Sequence, residues 1–260
     1  MASATSVWVQ MLKDLEFAPV FAPRKMETKE LLGYQTRVSM TEPMVSIKER
    51  DIGHKFRYAE AAWILSGDNR VATISPYSKM IHKFSDDGVR YFGSYGVKVV
   101  DQLPYVIETL ANDESSRQAI ISIWRENPRP SKDIPCTLTL QFIIRKNILY
   151  CNATMRSSDA WLGWVYDVFN FSQISLYVLL QLKAQYNIKL KLGHLILTAG
   201  SQHLYKQHWQ KATDCIFGNQ FTPEKTKLDF KDGQELIDYL WNKANENYDE
   251  HKQQVLPGIV

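Results

Sequence analysis

Residues 135–167 read PCTLTLQFIIRKNILYCNATMRSSDAWLGWVYD, and the stretch that follows, about 168–185, is apolar on every side. The first part predicts two strands, 137–145 and 149–155, turned at Lys146-Asn147. The second predicts a long helix, and a helix that is apolar all round is a buried one. Strands leading into a buried helix put sheet and helix in one core. With no internal repeat, linker or low-complexity segment, a single α+β domain spanning 1–260 is the economical reading.

The remaining elements fit around that centre. Helical spacing predicts helices at 6–15, 57–65, 102–110, 203–215 and 234–243, with Ser66-Gly67-Asp68 stopping the second. Strands are expected at 31–38, 44–47, 117–124 and 191–199. Arg24-Lys25 fall in a loop after two prolines, Ser85 to Gly88 in a turn, YFGSYG (91–96) in a Gly-aromatic loop, and 127–132 in a Pro-rich loop that leads to Cys136.

Composition narrows the class. Hydrophobic residues are 45% and charged residues 23%, ordinary for a soluble globular protein. A net charge of +3, with the basic residues scattered, argues against direct nucleic-acid binding but leaves isolated arginines for a small phosphorylated ligand. Three cysteines point to a reducing compartment rather than a disulfide framework, and no zinc-type spacing of Cys and His is present. No signal peptide and no membrane span are read, so the expected location is the cytoplasm, the host's if the protein is viral.

Four places carry possible chemistry. Cys136, after a loop and at the start of a strand, is either a small buried hydrophobe or a nucleophile, with Arg156 on the return strand able to lower its pKa. Arg156-Ser157-Ser158-Asp159 is either a strand end with a helix cap or a cradle for a phosphate dianion. His203 and Tyr205 either bind a sugar hydroxyl or merely begin a helix. Glu60, amid apolar neighbours, either reaches solvent or is held inside for a purpose.

Taken together these residues resemble the thymidylate synthase family. The resemblance rests on Pro135-Cys136, RSxD at 156–159, LG at 162–163, HxY at 203–205, Glu60 inside EAAWILSGD and Tyr95 inside FGSYG, in register from about 24 to 205. It implies a mixed sheet flanked by helices, with one sheet face forming a homodimer interface. It implies that Cys136 attacks C6 of a pyrimidine nucleotide, whose C5 then takes a one-carbon unit from 5,10-methylenetetrahydrofolate, with no metal. Glu60 would be the acid–base group and Tyr95 a neighbour of the reacting base. Arg156, Ser157, Arg24 and Arg117 would hold the phosphate, Arg117 across the dimer. His203 and Tyr205 would bind the ribose 3′-hydroxyl. Asp159 would contact the folate, and Val260 would close over it.

Departures from the family pattern point to one branch. Asp167 stands where synthases place an asparagine. An amide suits uracil; a carboxyl suits cytosine, accepting from the N4 amino group and sharing a proton with N3. A three-residue shift would place Asn170 there instead and restore uracil; the count from Cys136 and from Leu162-Gly163 gives Asp167. Ile81 stands where synthases carry a tryptophan that shields the exocyclic methylene, and a smaller side chain admits water. Met155 and Thr137 replace the usual Gln and His. The branch these changes resemble is the phage deoxycytidylate 5-hydroxymethyltransferase, which ends its cycle with hydration. dCMP and folate are then the expected ligands.

Overall fold

The computed structural model describes residues 2–78, 80–126, 130–218 and 222–246. Val260 lies outside the described residues.

Strands β1 (Val20–Phe21), β2 (Thr28–Ser39), β3 (Ile120–Ser122), β4 (Thr137–Arg145), β5 (Ile148–Met155), β6 (Ser158–Asp159) and β7 (Lys191–Tyr205) form one mixed sheet. Its order is β1-β2-β7-β5-β4-β3, with β6 pairing β7 beyond the end of β5. β5 and β6 run parallel to β7, and the other pairs are antiparallel. The β4–β5 hairpin turns through Lys146 (φ 51°) and Asn147 (φ 58°), the two left-handed residues that a tight right-twisted hairpin needs.

Helices α1 (Ala4–Glu16), α2 (His54–Leu65), α3 (Val71–Ile74), α4 (Tyr95–Asn112), α5 (Trp164–Tyr186), α6 (Trp209–Ile216) and α7 (Gly233–Asn245) flank it. α5 is the buried helix. It packs on β5 and β7 and also on α2, α4 and α7. Phe169, Phe171, Ile174, Leu176, Val178 and Leu180 cover several of its sides and are all buried. Each such side chain contributes about 1.5–3 kcal/mol by leaving water, which makes this helix the centre of the core. Leu140, Phe142, Cys151, Ala153, Leu195 and Leu197 supply buried sheet residues. The alternate positions are polar and half-exposed: Asn152 donates to Gln141 (3.2 Å), and Tyr150 stacks on His194. No helix among the described residues is long and apolar enough to cross a membrane.

Several elements differ from the sequence expectation. Residues 44–47 form no strand: Met44, Val45 and Ile47 are buried and only Ile47 makes a single bridge, so their apolar run reports burial and not a ladder. The strand expected over 117–124 is regular only at Ile120–Ser122, on the sheet edge. The strand expected over 31–38 is longer, because β2 pairs β7 from Thr28↔Tyr205 to Ser39↔His194. For the same reason His203 and Tyr205 lie on a strand, not at the start of a helix, and α6 begins only at Trp209. Tyr95 opens α4 instead of sitting in a loop, with Ser94 as its cap residue. α5 starts at Trp164, which brings Asp167 into its first turn.

Candidate active site

The end of the β4–β5 hairpin places Cys136 and Arg156 side by side. The Arg156 amide donates to the Cys136 carbonyl (2.8 Å), so the residue before β4 is tied to the residue after β5. The guanidinium is clamped by its own loop: Nε donates to the Pro135 carbonyl, Nη2 to the Ile134 carbonyl and Nη1 to Ser157 Oγ, each at 3.0 Å. An arginine has five N–H groups, so two remain for an anion. Ser157 Oγ also donates to Cys136 Sγ (3.7 Å). β7 can pass close to this corner because of Gly200: a Cβ there would stand 2.9 Å from the Arg156 carbonyl oxygen.

The Cys136 thiol is half-buried, and burial pushes its pKa up. Arg156 and the Ser157 hydrogen bond pull it down without cancelling the desolvation, and Asp167 and Asp133 push it further up. The cation expected from the hairpin is therefore present, but in the resting site burial outweighs it.

Three helices complete the cleft. Tyr95, at the start of α4, accepts at its hydroxyl from Thr137 Oγ1 (3.0 Å), one residue from the thiol. Burial holds its phenol far above the ordinary value, and Asp167 and Cys136 add to the rise. Glu60 comes from α2, and its Oε2 accepts from Asn170 Nδ2 of α5 at 2.8 Å. Burial raises Glu60 from 4.5 to about 7, with the Asn170 bond opposing. Asp167 lies on α5 one turn before Asn170. Its pKa is raised well above 3.8 by burial, then by the charges of Glu60 and Asp159.

Position near the helix N-terminus favours the Asp167 anion by about 0.3–1 kcal/mol, less than one pH unit. Desolvation of a carboxylate reaches about 3–5 pH units when complete, so burial wins. Glu60 and Asp167 are half-buried as whole residues, which moderates the rise. Asp167 folds back over Gly163, whose missing Cβ would lie 3.4 Å from Asp167 Oδ2.

On the sheet side, β6 and β7 align Asp159 with His203. Asp159 Oδ1 accepts from the amides of Trp161 (2.8 Å) and Leu162 (3.1 Å), which fixes the carboxylate. An anchored, half-buried carboxylate suits the N–H edge of a pterin, so this chain has a fitting contact for a folate. The His203 and Tyr205 rings meet edge to face at 5.1 Å. Tyr205 lies within electrostatic reach of Asp159, Arg24, Cys136 and Arg156, which puts the Arg24 loop on the same side as the thiol. Arg24 itself is exposed, with a left-handed φ of 52°. Ile81 is half-buried on a short 3-10 turn, Ile81–Phe84, and packs on the edge of the core.

Arg117 is the expected residue that does not join this cluster. It is exposed beside the edge strand β3, and its side chain makes no hydrogen bond or ion pair among the described residues. Only its carbonyl is engaged, by Gln141 Nε2 (2.9 Å).

The structure also brings in residues in parts that the sequence did not give them. Asn170, named there only as the alternative to Asp167, holds Glu60, and the signal that could have found this is a buried amide, which needs a partner. Asp133 Oδ2 accepts from the Gly93 amide (2.7 Å) and ties the loop before Cys136 to the loop before Tyr95. Trp161 sits between Trp8, His208 and the Arg50 guanidinium, forming a wall next to Asp159. Among the described residues no group of three or more His, Cys, Asp or Glu side chains is placed to hold a metal ion.

Comparison with known proteins agrees with this geometry. The sequence profile of the thymidylate synthase family matches residues 22–257. The chain is 27% identical over 198 residues to a thymidylate synthase of Buchnera aphidicola, covering 72% of each chain. It is 25% identical over 237 residues to one of Coxiella burnetii, covering 86% of this chain and 87% of that protein. To one of Francisella tularensis it is 24% identical over 249 residues, covering 86% and 88%. The chain belongs to the thymidylate synthase family and is a folate-dependent one-carbon transferase.

Proposed function

We propose that this enzyme is a deoxycytidylate 5-hydroxymethyltransferase. The observation that carries the reading is Asp167: a carboxyl with a raised pKa, within electrostatic reach of Cys136, Tyr95 and Glu60. A neutral carboxyl group offers both an acceptor and a donor. Cytosine presents an N4 amino donor beside an N3 acceptor, so the two edges match. Uracil presents a donor at N3 and an acceptor at O4. With its proton kept on the oxygen that faces N3, the carboxyl mispairs against those at a cost of about 1–3 kcal/mol for each buried group.

The remaining residues then take defined parts. Arg156, with two N–H groups to spare, and Ser157 bind the phosphate, and Arg24 approaches from its loop. His203 and Tyr205 hold the sugar hydroxyl. Cys136 adds to C6 as the thiolate, which turns C5 into a nucleophile. Glu60, titrating near neutrality, takes and returns protons in the later steps. Asp159 binds the folate. Bound methylenetetrahydrofolate supplies the one-carbon unit. Ile81, in place of an indole, leaves space for water, and hydration yields a hydroxymethyl group. Arg117, exposed at the sheet edge, reads as the phosphate ligand that one subunit of a homodimer lends to the other, with the half-exposed sheet face between them. The host cytoplasm is the fitting location if the protein is viral.

That the relatives are thymidylate synthases favours a second reading, in which dUMP is methylated and the folate is oxidised to dihydrofolate. One experiment separates the two. The protein is incubated with dCMP or dUMP and methylenetetrahydrofolate, the nucleotide product is weighed by mass spectrometry, and dihydrofolate is followed by absorbance. The reading requires 5-hydroxymethyl-dCMP without dihydrofolate. Methylated dUMP with dihydrofolate would replace it with the second, and binding of nucleotide without loss of tritium from C5 would mark an inactive relative.

A further inference from the structure

Asn170 is 2% exposed, on a helix that also buries Ser172, Gln173 and Ser175, the two serines bonded back to their own helix. Its Nδ2 donates to Glu60 Oε2 at 2.8 Å, while its Oδ1 is buried without a partner among the described residues. A leucine of similar size would pack there without stranding an acceptor. The stranded oxygen shows that packing alone does not account for the amide; what it does for the structure is done at its other end, on Glu60.

An amide N–H can only donate, so it is best satisfied by an ionised carboxylate. Glu60 shares the cleft with a second carboxyl, Asp167, one helical turn from Asn170, and the two repel when both are charged. Among the described residues no donor bonds the Asp167 side-chain oxygens, whereas Glu60 has one. The other groups facing the pair are Tyr166 on α5, Tyr95 on α4, Asp159 on β6 and the Cys136 thiol.

We propose that Asn170 is a positioning residue that decides which of the two carboxyls carries the charge: its N–H keeps Glu60 as the anion and so leaves the proton on Asp167. This rests on the reading of Glu60 as the acid–base group and Asp167 as the base reader. The division of labour follows. Glu60 starts the cycle able to take a proton, and Asp167 starts it with a hydrogen to donate to a ring nitrogen.

The test is a carboxyl titration of the full chain without ligand, followed by 13C NMR with labelled Asp and Glu. Glu60→Gln and Asp167→Asn identify the two signals. In Asn170→Leu the loss of the donor raises the Glu60 midpoint by about one pH unit, the size expected for a hydrogen bond to a charged group. The Asp167 midpoint moves the opposite way, because its neighbour is charged over a smaller range. Asn170→Ser, a smaller change, moves both in the same senses by less, and it carries the test if Asn170→Leu does not fold by circular dichroism. A merely structural role would not move two carboxyls in opposite directions. Midpoints that stay where they are in a folded variant, or that move together, overturn the proposal. Because no substrate is present, this result is independent of whether dCMP or dUMP is the nucleotide. In turnover assays on whichever nucleotide the wild type accepts, the acidic limb of the pH profile shifts upward with the Glu60 midpoint.

Discussion

Glu60→Gln should make the protein more stable above neutral pH while abolishing turnover. Glu60 rises from an ordinary 4.5 to about 7 in the folded chain, chiefly through burial. A carboxyl raised on folding contributes fully below the unfolded value and loses that contribution as pH climbs through the folded one. Each pH unit of that rise is worth about 1.4 kcal/mol, so ionised Glu60 costs the fold about 3 kcal/mol at pH 8.5. Because Glu60 is half-buried as a whole residue, about 2 kcal/mol is the more realistic size. Glutamine keeps the shape, still accepts from Asn170 and carries no charge to desolvate. The variant should therefore match the wild type at pH 4.5 and exceed it by about 2 kcal/mol at pH 8.5, or about 4–8 °C in melting temperature. Urea denaturation of both proteins at the two pH values measures this. A stability difference that does not change between pH 4.5 and 8.5 would show that Glu60 is not held at a cost, and the argument from its burial would fail.

Asp167→Asn should move base preference from cytosine toward uracil by about 100-fold in the ratio of kcat/KM for dCMP and dUMP, since two edge groups reverse their pairing. Unchanged dCMP turnover and dUMP rejection would refute the assignment. Cys136→Ala should fold normally and release no tritium from C5 of the nucleotide. Alkylation of Cys136 at pH 8 should slow in Arg156→Lys, because a point charge cannot reproduce the clamp at Ile134, Pro135 and Ser157 that keeps the cation beside the sulfur; an unaltered rate would remove Arg156 from control of the thiol. Gly200→Ala places a methyl 2.9 Å from the Arg156 carbonyl oxygen, so it should cost about 1–3 kcal/mol in denaturant and raise KM for the nucleotide.

Much of the chain's local structure was legible in its sequence. The Lys146-Asn147 hairpin, the buried helix and the mixed α+β class follow from patterns that act over a few residues: alternation, apolar continuity and left-handed turn positions. Cys136, Glu60, Tyr95, Arg156 and Asp159 could be singled out as candidates for the same reason, by residue type and order along the chain. What depended on pairing between distant segments was not. His203 and Tyr205 look like a helix start until β2 is found alongside them along the whole of its length. Met44 to Ile47 look like a strand because burial without a strand ladder leaves the same apolar mark. The balance of charge was decided only in three dimensions. Arg156 does stand by the thiol as the hairpin implied, yet enclosure by the surrounding helices outweighs it. Asn170 read only as the alternative to Asp167 under a three-residue shift; folding set it 2.8 Å from an acid 110 residues away. Periodicity and residue type are properties of a short stretch, whereas desolvation and hydrogen-bond partners belong to whatever the fold brings together.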